Sequence, residues 1–252
     1  MQEHGHNLRR RGPKAGNQED KLEGTEDIGA ALDRPAPILI YRRLRRHFGF
    51  RDWWPGDSDF EVLVGAVLTQ QTTWKNVEKA IANLKEADSL SMEKIASMDI
   101  RKLERLIRPS GYYRQKAKRL KGICARIKKE HGSLGNLLKL EKNGLRKELL
   151  SYNGIGMETA DSIILYAAEK PVFVIDAYTK RAMHRIDPSI SADIEYEQLR
   201  GYFEERLEMK TELYNDFHAQ FVELGKRYCT AARPSCGECP LRDVCHFGAE
   251  RI

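Results

Sequence analysis

Four of the five cysteines of this 252-residue chain lie close together near its C-terminus. They are Cys229, Cys236, Cys239 and Cys245, spaced C-x6-C-x2-C-x5-C. Such a set could form disulfides, hold structural zinc or ligate a cubane iron-sulfur cluster. The spacing favours the cluster over zinc, because zinc sites usually pair two short C-x2-C or H-x3-H segments. Cys124 stands apart on a helical segment, where we predict a small core residue.

A second candidate site is the turn Gly154-Ile155-Gly156, which stands between two segments with helical periodicity. Two glycines around one apolar residue permit positive φ, so that two helices can reverse sharply while Ile155 turns inward as an anchor. The backbone N–H groups of this turn and of the next helix's first turn would then point outward and could bind a phosphate. Many such turns are only helix hairpins, and that alternative stays open.

The third candidate is Asp176, which follows the apolar run at 172–175 and precedes a helical segment. A carboxylate in this position is favoured as a helix N-cap. It could also act as a catalytic anion, and one side chain can do both.

The elements that must position these residues are helices. From Pro37 onward, apolar residues recur at helical spacing, and glycines and prolines fall where helices should stop. The segments at 57–59 and 89–91 supply N-cap residues. Only 172–175 could form a strand, and a lone four-residue strand makes a poor sheet. We therefore predict an all-α protein.

Composition and charge limit the class of protein further. The chain carries 43 Lys and Arg against 37 Asp and Glu, a net charge of +6. Residues 1–36 hold six basic and seven acidic residues and few apolar ones, so we expect a disordered tail and a body of about +7. That excess permits a polyanionic partner without proving one. No apolar run comes near the roughly 20 residues that a membrane-spanning helix needs, and no leader-like N-terminus is evident, so we expect a soluble protein that is neither membrane-spanning nor secreted.

Four motifs in order resemble the helix-hairpin-helix DNA glycosylases of the endonuclease III superfamily. They are L-V-G-A-V-L-T-Q-Q-T-T-W at 63–74, G-Y-Y-R-Q-K-A at 111–117, G-I-G-M-E-T-A-D at 154–161 and V-I-D-A-Y at 174–178. The four-cysteine segment at 229–245 completes the resemblance, which covers about residues 38–246.

This resemblance implies two helical domains and a cofactor. Residues 52–170 would form a six-helix barrel containing the helix-hairpin-helix unit. Residues 37–51 and 171–252 would form a second helical domain, whose four cysteines hold a 4Fe-4S cluster. Double-stranded DNA with a damaged or mismatched base would lie in the groove between the domains, bound by a monomer.

The resemblance also implies roles for single residues. Asp176 would be the catalytic carboxylate, since an anion stabilises the oxocarbenium character that develops when a glycosidic bond breaks. The flipped base needs an aromatic pocket, for which we expect Trp53, Trp54 and Trp74; ordinary core packing is the alternative. Gln71 would fill the gap left in the duplex.

Backbone contacts to the DNA come from two further places in this scheme. The turn residues Gly154, Ile155 and Gly156 would bind phosphate, and Arg233 in the cysteine segment could reach the backbone as well.

One departure from the family pattern bears on the reaction. Bifunctional members carry G-x-G-x-K-T-A, whose lysine forms a Schiff base with the sugar, and Glu158 stands at that position here. A carboxylate cannot form an imine, so we expect a monofunctional glycosylase that uses water. Glu158 would either contact the flipped base or serve as a first-turn helix carboxylate.

The substrate expectation follows the same motifs. The adenine-removing relatives carry a glutamate at the position of Ala66, which disfavours that activity. The hairpin's glutamate form and the W-W-P segment at 53–55 are most similar to the branch that removes alkylated purines such as 3-methyladenine. A mismatch uracil or thymine glycosylase and a non-catalytic DNA-binding paralogue remain the alternatives. We expect a cytoplasmic, nucleoid-associated protein of prokaryotic type.

Overall fold

The computed structural model describes residues 35–51 and 56–250, and within them it contains thirteen α-helices and no strand. In chain order these are α1 Pro37–Phe48, α2 Asp59–Leu68, α3 Trp74–Glu86, α4 Met92–Ser97, α5 Ile100–Leu106, α6 Tyr113–His131, α7 Leu134–Leu138, α8 Lys142–Leu150, α9 Met157–Tyr166, α10 Ala177–Ile186, α11 Tyr196–Glu204, α12 Thr211–Arg227 and α13 His246–Ala249. The all-α prediction is confirmed.

Several helices begin where a short polar side chain accepts a backbone N–H from the first turn. The capping residues are Ser58, Ser91, Asp99, Ser133 and Asp176. Each satisfies one of the donors that a helix N-terminus leaves without an intrahelical partner. The sequence predicted caps at 57–59 and 89–91, and the structure places them at Ser58 and Ser91. Gly49 and Gly132 follow the last residues of α1 and α6, as their positions indicated.

The helices between residues 59 and 166 pack around α2, which is buried from Glu61 to Leu68. On α2 lie α3, α6 and α9, while α8 packs against α9 and α4 against α6. Six of the eight helices in this span have seven residues or more, and α4 and α7 are shorter. Cys124 is fully buried on α6, which confirms its prediction as a core residue.

The remaining helices gather on α12, which is buried from Tyr214 to Gly225 apart from Asn215, a half-buried residue. The helices α1 and α10 pack against α12, and α9 also contacts it. Stacked aromatic rings fill this core, with ring centroids 4.1 Å apart for Phe173 and Phe203. The buried Asp216 carboxylate accepts hydrogen bonds from the Tyr41 hydroxyl at 2.8 Å and the Arg51 N–H at 2.8 Å, and this fixes the segment after α1.

Some predictions about the organisation of the chain are not decided by this fold. The described residues belong to one compact unit, so the division into two domains stays a prediction. The tail prediction for 1–36 falls almost wholly outside the described residues. The segment at 172–175 is buried and has no regular structure, and its burial explains its apolar composition. No helix in the described part of the chain is long and apolar enough to cross a membrane.

Candidate active site

A cavity of about 700 Å³ lies where the end of α2, the starts of α6, α9 and α10 and the middle of α12 meet; we call it the base pocket. Residues from all five places line it. Among them are residues 69–74, Tyr112, Lys116, Arg119, Glu158, Asp176, Tyr178, His218 and Lys226. The base pocket therefore brings together Gln71, Trp74, Glu158 and Asp176, four of the residues that the sequence singled out.

Asp176 is the N-cap of α10 and faces the base pocket at the same time. Its Oδ1 accepts hydrogen bonds from the Thr179 N–H at 2.7 Å and the Thr179 hydroxyl at 2.9 Å. Its Oδ2 lies 3.5 Å from Nε2 of His218. Burial alone would raise the pKa of this carboxyl, but His218 and Thr179 outweigh burial and hold the pKa below its ordinary value. The group is therefore ionised at neutral pH.

Glu158 lies in the first turn of α9, where its side chain also lines the base pocket. It is open to solvent at the rim, yet the pocket walls remove enough water from the carboxyl to raise its pKa. The negative charge of Asp176 raises it further, and His218 and Lys180 oppose this, so that the pKa reaches about 7. The base pocket thus holds two carboxyl groups whose surroundings drive their pKa values apart.

The glycine turn has the sharp reversal that the sequence predicted. Gly154 has φ of +93°, and Ile155 is buried beneath it. A Cβ added at Gly154 would lie 2.3 Å from Cδ of Arg119, so a side chain would meet both strain and a clash. Gly156 differs from this expectation: it has extended backbone with φ of −92°, it is the N-cap of α9, and its Cβ position is open.

The turn after α2 is tied to the glycine turn by Gln70. Its Nε2 donates to the Gly154 carbonyl oxygen at 2.8 Å and to the Thr159 hydroxyl at 3.1 Å. Gln71 comes next with φ of 54° and is exposed beside the cavity, where it can approach a duplex. Trp74 begins α3 half-buried in the cavity wall, in keeping with a pocket residue that also packs on the core.

Three further residues line the base pocket that sequence reasoning did not select. Tyr112 is 65 % exposed at φ of 46°, an unusual combination for a large aromatic. Lys116 is buried, and its ammonium donates to the carbonyl oxygens of Leu68 at 2.8 Å and Ser110 at 2.7 Å. The third is His218, which reaches Asp176 across 42 residues of sequence, so no local spacing could reveal it. Tyr112 and Lys116 lie inside the G-x-Y-x-x-K-A segment at 111–117, and that motif could have indicated both as pocket residues.

The four predicted metal ligands lie in what we call the cysteine loop, residues 229–245. Arg185 of α10 donates to Sγ of Cys229 at 3.3 Å, and Sγ of Cys245 donates to the Arg185 carbonyl oxygen at 3.3 Å. Arg181, also on α10, donates to the Cys229 carbonyl oxygen at 2.8 Å. The C-terminal half of α10, the helix that Asp176 caps, therefore supports the cysteine loop.

Four cysteine side chains form a donor set that suits either an iron-sulfur cluster or zinc. Burial raises the pKa of Cys239 to about 11, so a thiolate there needs bound metal to stabilise it.

Trp53, Trp54 and Arg233 are not among the described residues that line the base pocket. Trp53 and Trp54 lie outside the described residues, so their assignment to the pocket stays a prediction. Arg233 is exposed on the cysteine loop and is absent from the pocket lining. Its backbone oxygen accepts from the Thr230 hydroxyl at 2.7 Å, which shapes the loop.

The arrangement of a helix, a glycine turn and a second helix beside a cavity with an ionised carboxylate defines a class of helical base-excision enzymes. The model of the HhH-GPD superfamily of base excision DNA repair proteins matches residues 64–209. A candidate DNA repair glycosylase of Methanocaldococcus jannaschii is 45 % identical over 208 residues, covering 82 % of this chain and 94 % of that protein.

Two further proteins are similar to this chain. The endonuclease III of Thermotoga maritima is 29 % identical over 194 residues, covering 76 % of this chain and 84 % of that protein. The solved structure of the Helicobacter pylori 3-methyladenine DNA glycosylase MagIII bound to 1,N6-ethenoadenine is 32 % identical, with a TM-score of 0.67, covering 76 % of this chain and 98 % of that one. The chain belongs to the HhH-GPD superfamily. It is a DNA glycosylase of base excision repair, an enzyme that acts on N-glycosyl bonds.

Proposed function

We propose that this chain is a monofunctional glycosylase that removes alkylated purines, such as 3-methyladenine, from double-stranded DNA. The observation that carries the proposal is the position of Glu158. It lines the base pocket together with Asp176, at the motif position where bifunctional members carry the lysine that forms a Schiff base. With a carboxyl group in that place, water is the nucleophile and the product is an abasic site.

Asp176 is the catalytic carboxylate of this proposal. Its Oδ1 is occupied by the helix cap, which leaves Oδ2 as the oxygen able to face the sugar. As the bond to the base breaks, positive charge develops on the sugar and the ionised carboxylate stabilises it. The same oxygen can orient the attacking water and accept its proton.

Lys116 is one of the two lysines that line the base pocket, where an amine could replace the missing nucleophile. Burial lowers the pKa of Lys116 to about 8, which would favour a reactive amine. However, its nitrogen donates to two carbonyl oxygens, including that of Leu68 at the end of α2. Lys116 thus completes the end of a buried helix, a structural task that holds the amine in place.

Recognition of the base rests on the aromatic wall of the base pocket. Trp74 and Tyr178 line it, and the W-W-P segment at 53–55 is predicted to add to it. An electron-rich wall suits a cationic alkylated purine. The 32 % identical relative is a 3-methyladenine glycosylase holding an alkylated adenine, which supports this substrate class.

DNA would be bound by backbone contacts from the glycine turn and by Gln71 entering the duplex. Arg233 would add a phosphate contact that weakens as salt rises. A monomer that works at the bacterial or archaeal chromosome stays a prediction.

The cysteine loop would hold a 4Fe-4S cluster through Cys229, Cys236, Cys239 and Cys245. When bound, the cluster would supply charge and a fixed loop conformation, and the excision step does not pass through it. Arg185 and Arg181 would place the loop on α10.

A base-release panel tests the substrate. Purified, cluster-loaded protein is incubated with methylated duplex, with 1,N6-ethenoadenine duplex and with G:U and G:T mismatched duplexes, and the free bases are quantified. We expect release of 3-methyladenine. Processing of only the mismatched duplexes would establish the uracil or thymine activity instead, and tight DNA binding without release from any duplex would indicate a non-catalytic paralogue.

Borohydride trapping tests the reaction type. We expect no high-yield covalent adduct between the protein and a lesion-bearing duplex, because no amine stands at position 158. A strong adduct would contradict the proposal. Its loss in Lys116→Met or in Lys226→Met would then identify the amine, since both side chains line the base pocket.

A further inference from the structure

His218 lies behind Asp176 in the wall of the base pocket, on the buried helix α12. Its side chain is 6 % exposed, and that of Asp176 is 12 % exposed. Nδ1 of the imidazole is 2.5 Å from the Tyr166 hydroxyl, and Nε2 is 3.5 Å from Oδ2 of Asp176. The three side chains form a chain from the end of α9 through α12 to the start of α10.

The tyrosine contact is compatible with an imidazole whose Nε2 faces the carboxylate as a donor. In the neutral imidazole, the Tyr166 hydroxyl can donate to Nδ1, which leaves the proton on Nε2. In the imidazolium both nitrogens carry protons. In either state an N–H of His218 points at Asp176. The 3.5 Å separation is longer than an ordinary hydrogen bond, as is common before the substrate is bound.

The two oxygens of Asp176 have different surroundings. Oδ1 is taken by the Thr179 backbone and hydroxyl, as in a helix cap. Oδ2 has His218 as its polar neighbour and is the oxygen left for the reaction. A residue that controls Oδ2 therefore controls the reacting atom while touching neither base nor sugar.

We propose that His218 is a positioning residue for Asp176, holding its Oδ2 in the orientation that the glycosidic step needs. This inference rests on the proposed catalytic role of Asp176. Tyr166 is part of it, because its hydroxyl orients the imidazole.

Other charged groups lie around His218 and Asp176. Glu158 on α9 and Asp176 at the start of α10 line the base pocket together with His218. Lys180 of α10 acts on Glu158, and Lys226 of α12 lines the same cavity. When His218 is replaced by a neutral residue, burial is opposed by the Thr179 hydrogen bonds without the help of His218, so the pKa of Asp176 rises.

The test compares His218→Gln, which retains a side-chain donor, with His218→Phe, which removes both donor and charge. Single-turnover base release is measured from about pH 4 to 8, so that a rise in the pKa of Asp176 becomes visible as a loss of rate at acid pH. The series is repeated in a Glu158→Gln background, so that titration of Glu158 is separated. His131→Gln is the matched control, since His131 lies outside the base pocket and contacts Glu148.

We expect the wild-type rate to show no acid limb from Asp176 in this range. Both His218 variants should gain one at the acid end of the range, because the pKa of Asp176 rises when its interaction with His218 is lost. His218→Phe should also lose about 10²-fold in rate at neutral pH through misplacement of the carboxylate, and His218→Gln should recover most of that loss. Affinity for an abasic-site duplex should stay unchanged, as should the profile of His131→Gln.

If His218→Gln shows no acid limb, like the wild type, the inference is overturned, even if His218→Phe fails to fold. The proposed function fails separately. If Asp176→Asn retains turnover, Asp176 has no catalytic role. If Asp176→Asn is inactive while the His218 variants keep the wild-type profile, only the role of His218 is wrong.

Discussion

The base pocket and the cysteine loop lie at opposite ends of one helix, α10, yet they are built differently. Asp176 caps the start of α10, and Arg185, nine residues on, contacts Cys229. The base pocket is closed by protein contacts alone, such as the hydrogen bonds of Gln70 to the glycine turn. The cysteine loop has only short 3-10 turns at Cys236–Glu238 and Arg242–Val244.

This difference teaches that packing preorganises the base pocket, whereas we expect the cysteine loop to depend on its proposed cofactor for order. Loss of a pocket side chain should therefore remove base release and leave the fold. Loss of a cysteine should damage the fold and leave the chemistry of whatever protein remains folded.

Asp176→Asn should give the largest effect, a loss of about 10³-fold in single-turnover base release. Asparagine caps helices as well as aspartate does, so Tm and DNA affinity should change little. Asp99→Asn is the matched control, because Asp99 caps α5 in the same way and lies outside the base pocket. If Asp176→Asn lowers Tm and Asp99→Asn does not, the carboxylate at 176 has a structural role that the comparison leaves out.

Cys239→Ala should abolish the bound iron and its visible absorption and lower Tm by several degrees. Cys124→Ala is the control: it removes a buried sulfur from α6, and it should keep the iron while lowering stability by about 1 kcal/mol. The base-release rate per folded Cys239→Ala molecule should stay near that of the wild type. Purified protein with stoichiometric zinc in place of iron would show that the donor set was assigned to the wrong metal.

Gly154→Ala should weaken DNA binding by about tenfold, the equivalent of the 1–2 kcal/mol that a non-glycine residue loses at positive φ. The new Cβ also meets Arg119, so the turn must shift. Gly156→Ala is the natural control, because its backbone is extended and its Cβ position is open. Equal losses for the two variants, measured by titration of an abasic-site duplex, would show that turn geometry is not what the DNA senses.

Sequence reasoning predicted the base pocket in part because its members carry local signals. Asp176 follows an apolar run and opens a helix, and Gly154 permits a reversal, so short stretches reveal both. The prediction for Gly156 was less accurate: of the two glycines, only Gly154 uses the left-handed region. Two residues named with them, Trp53 and Trp54, fall outside the described residues.

The residues that the sequence did not predict make long-range contacts. His218 is one of several polar residues on α12, and only the packing of α12 on α9 and α10 shows its partners. Gln70 likewise reaches Gly154 across 84 residues. Contacts of this kind depend on how helices cross, which periodicity does not specify.

The smallest expected effect is a several-fold change in the rate of base release, and it concerns Glu158. It tests how Glu158 and Asp176 differ within the base pocket. The Glu158 pKa of about 7 lies above the ordinary value, so the carboxyl is protonated below about pH 7 and ionised above it. A neutral lesion such as 1,N6-ethenoadenine leaves more easily when a protonated carboxyl donates to it. Its release should therefore slow as pH rises through about 7.

A cationic lesion such as 3-methyladenine should behave differently. Its charge lowers the pKa of Glu158, and the departing base needs no donated proton, so the rate should not fall across the same range. Glu158→Gln should remove the fall for the neutral lesion, since an amide donates at every pH. Profiles of single-turnover rate against pH, measured in parallel on the two duplexes, test this prediction. If they coincide, or if the fall persists in Glu158→Gln, the second carboxyl does not sense the charge of the base, and Asp176 alone carries the chemistry of the pocket.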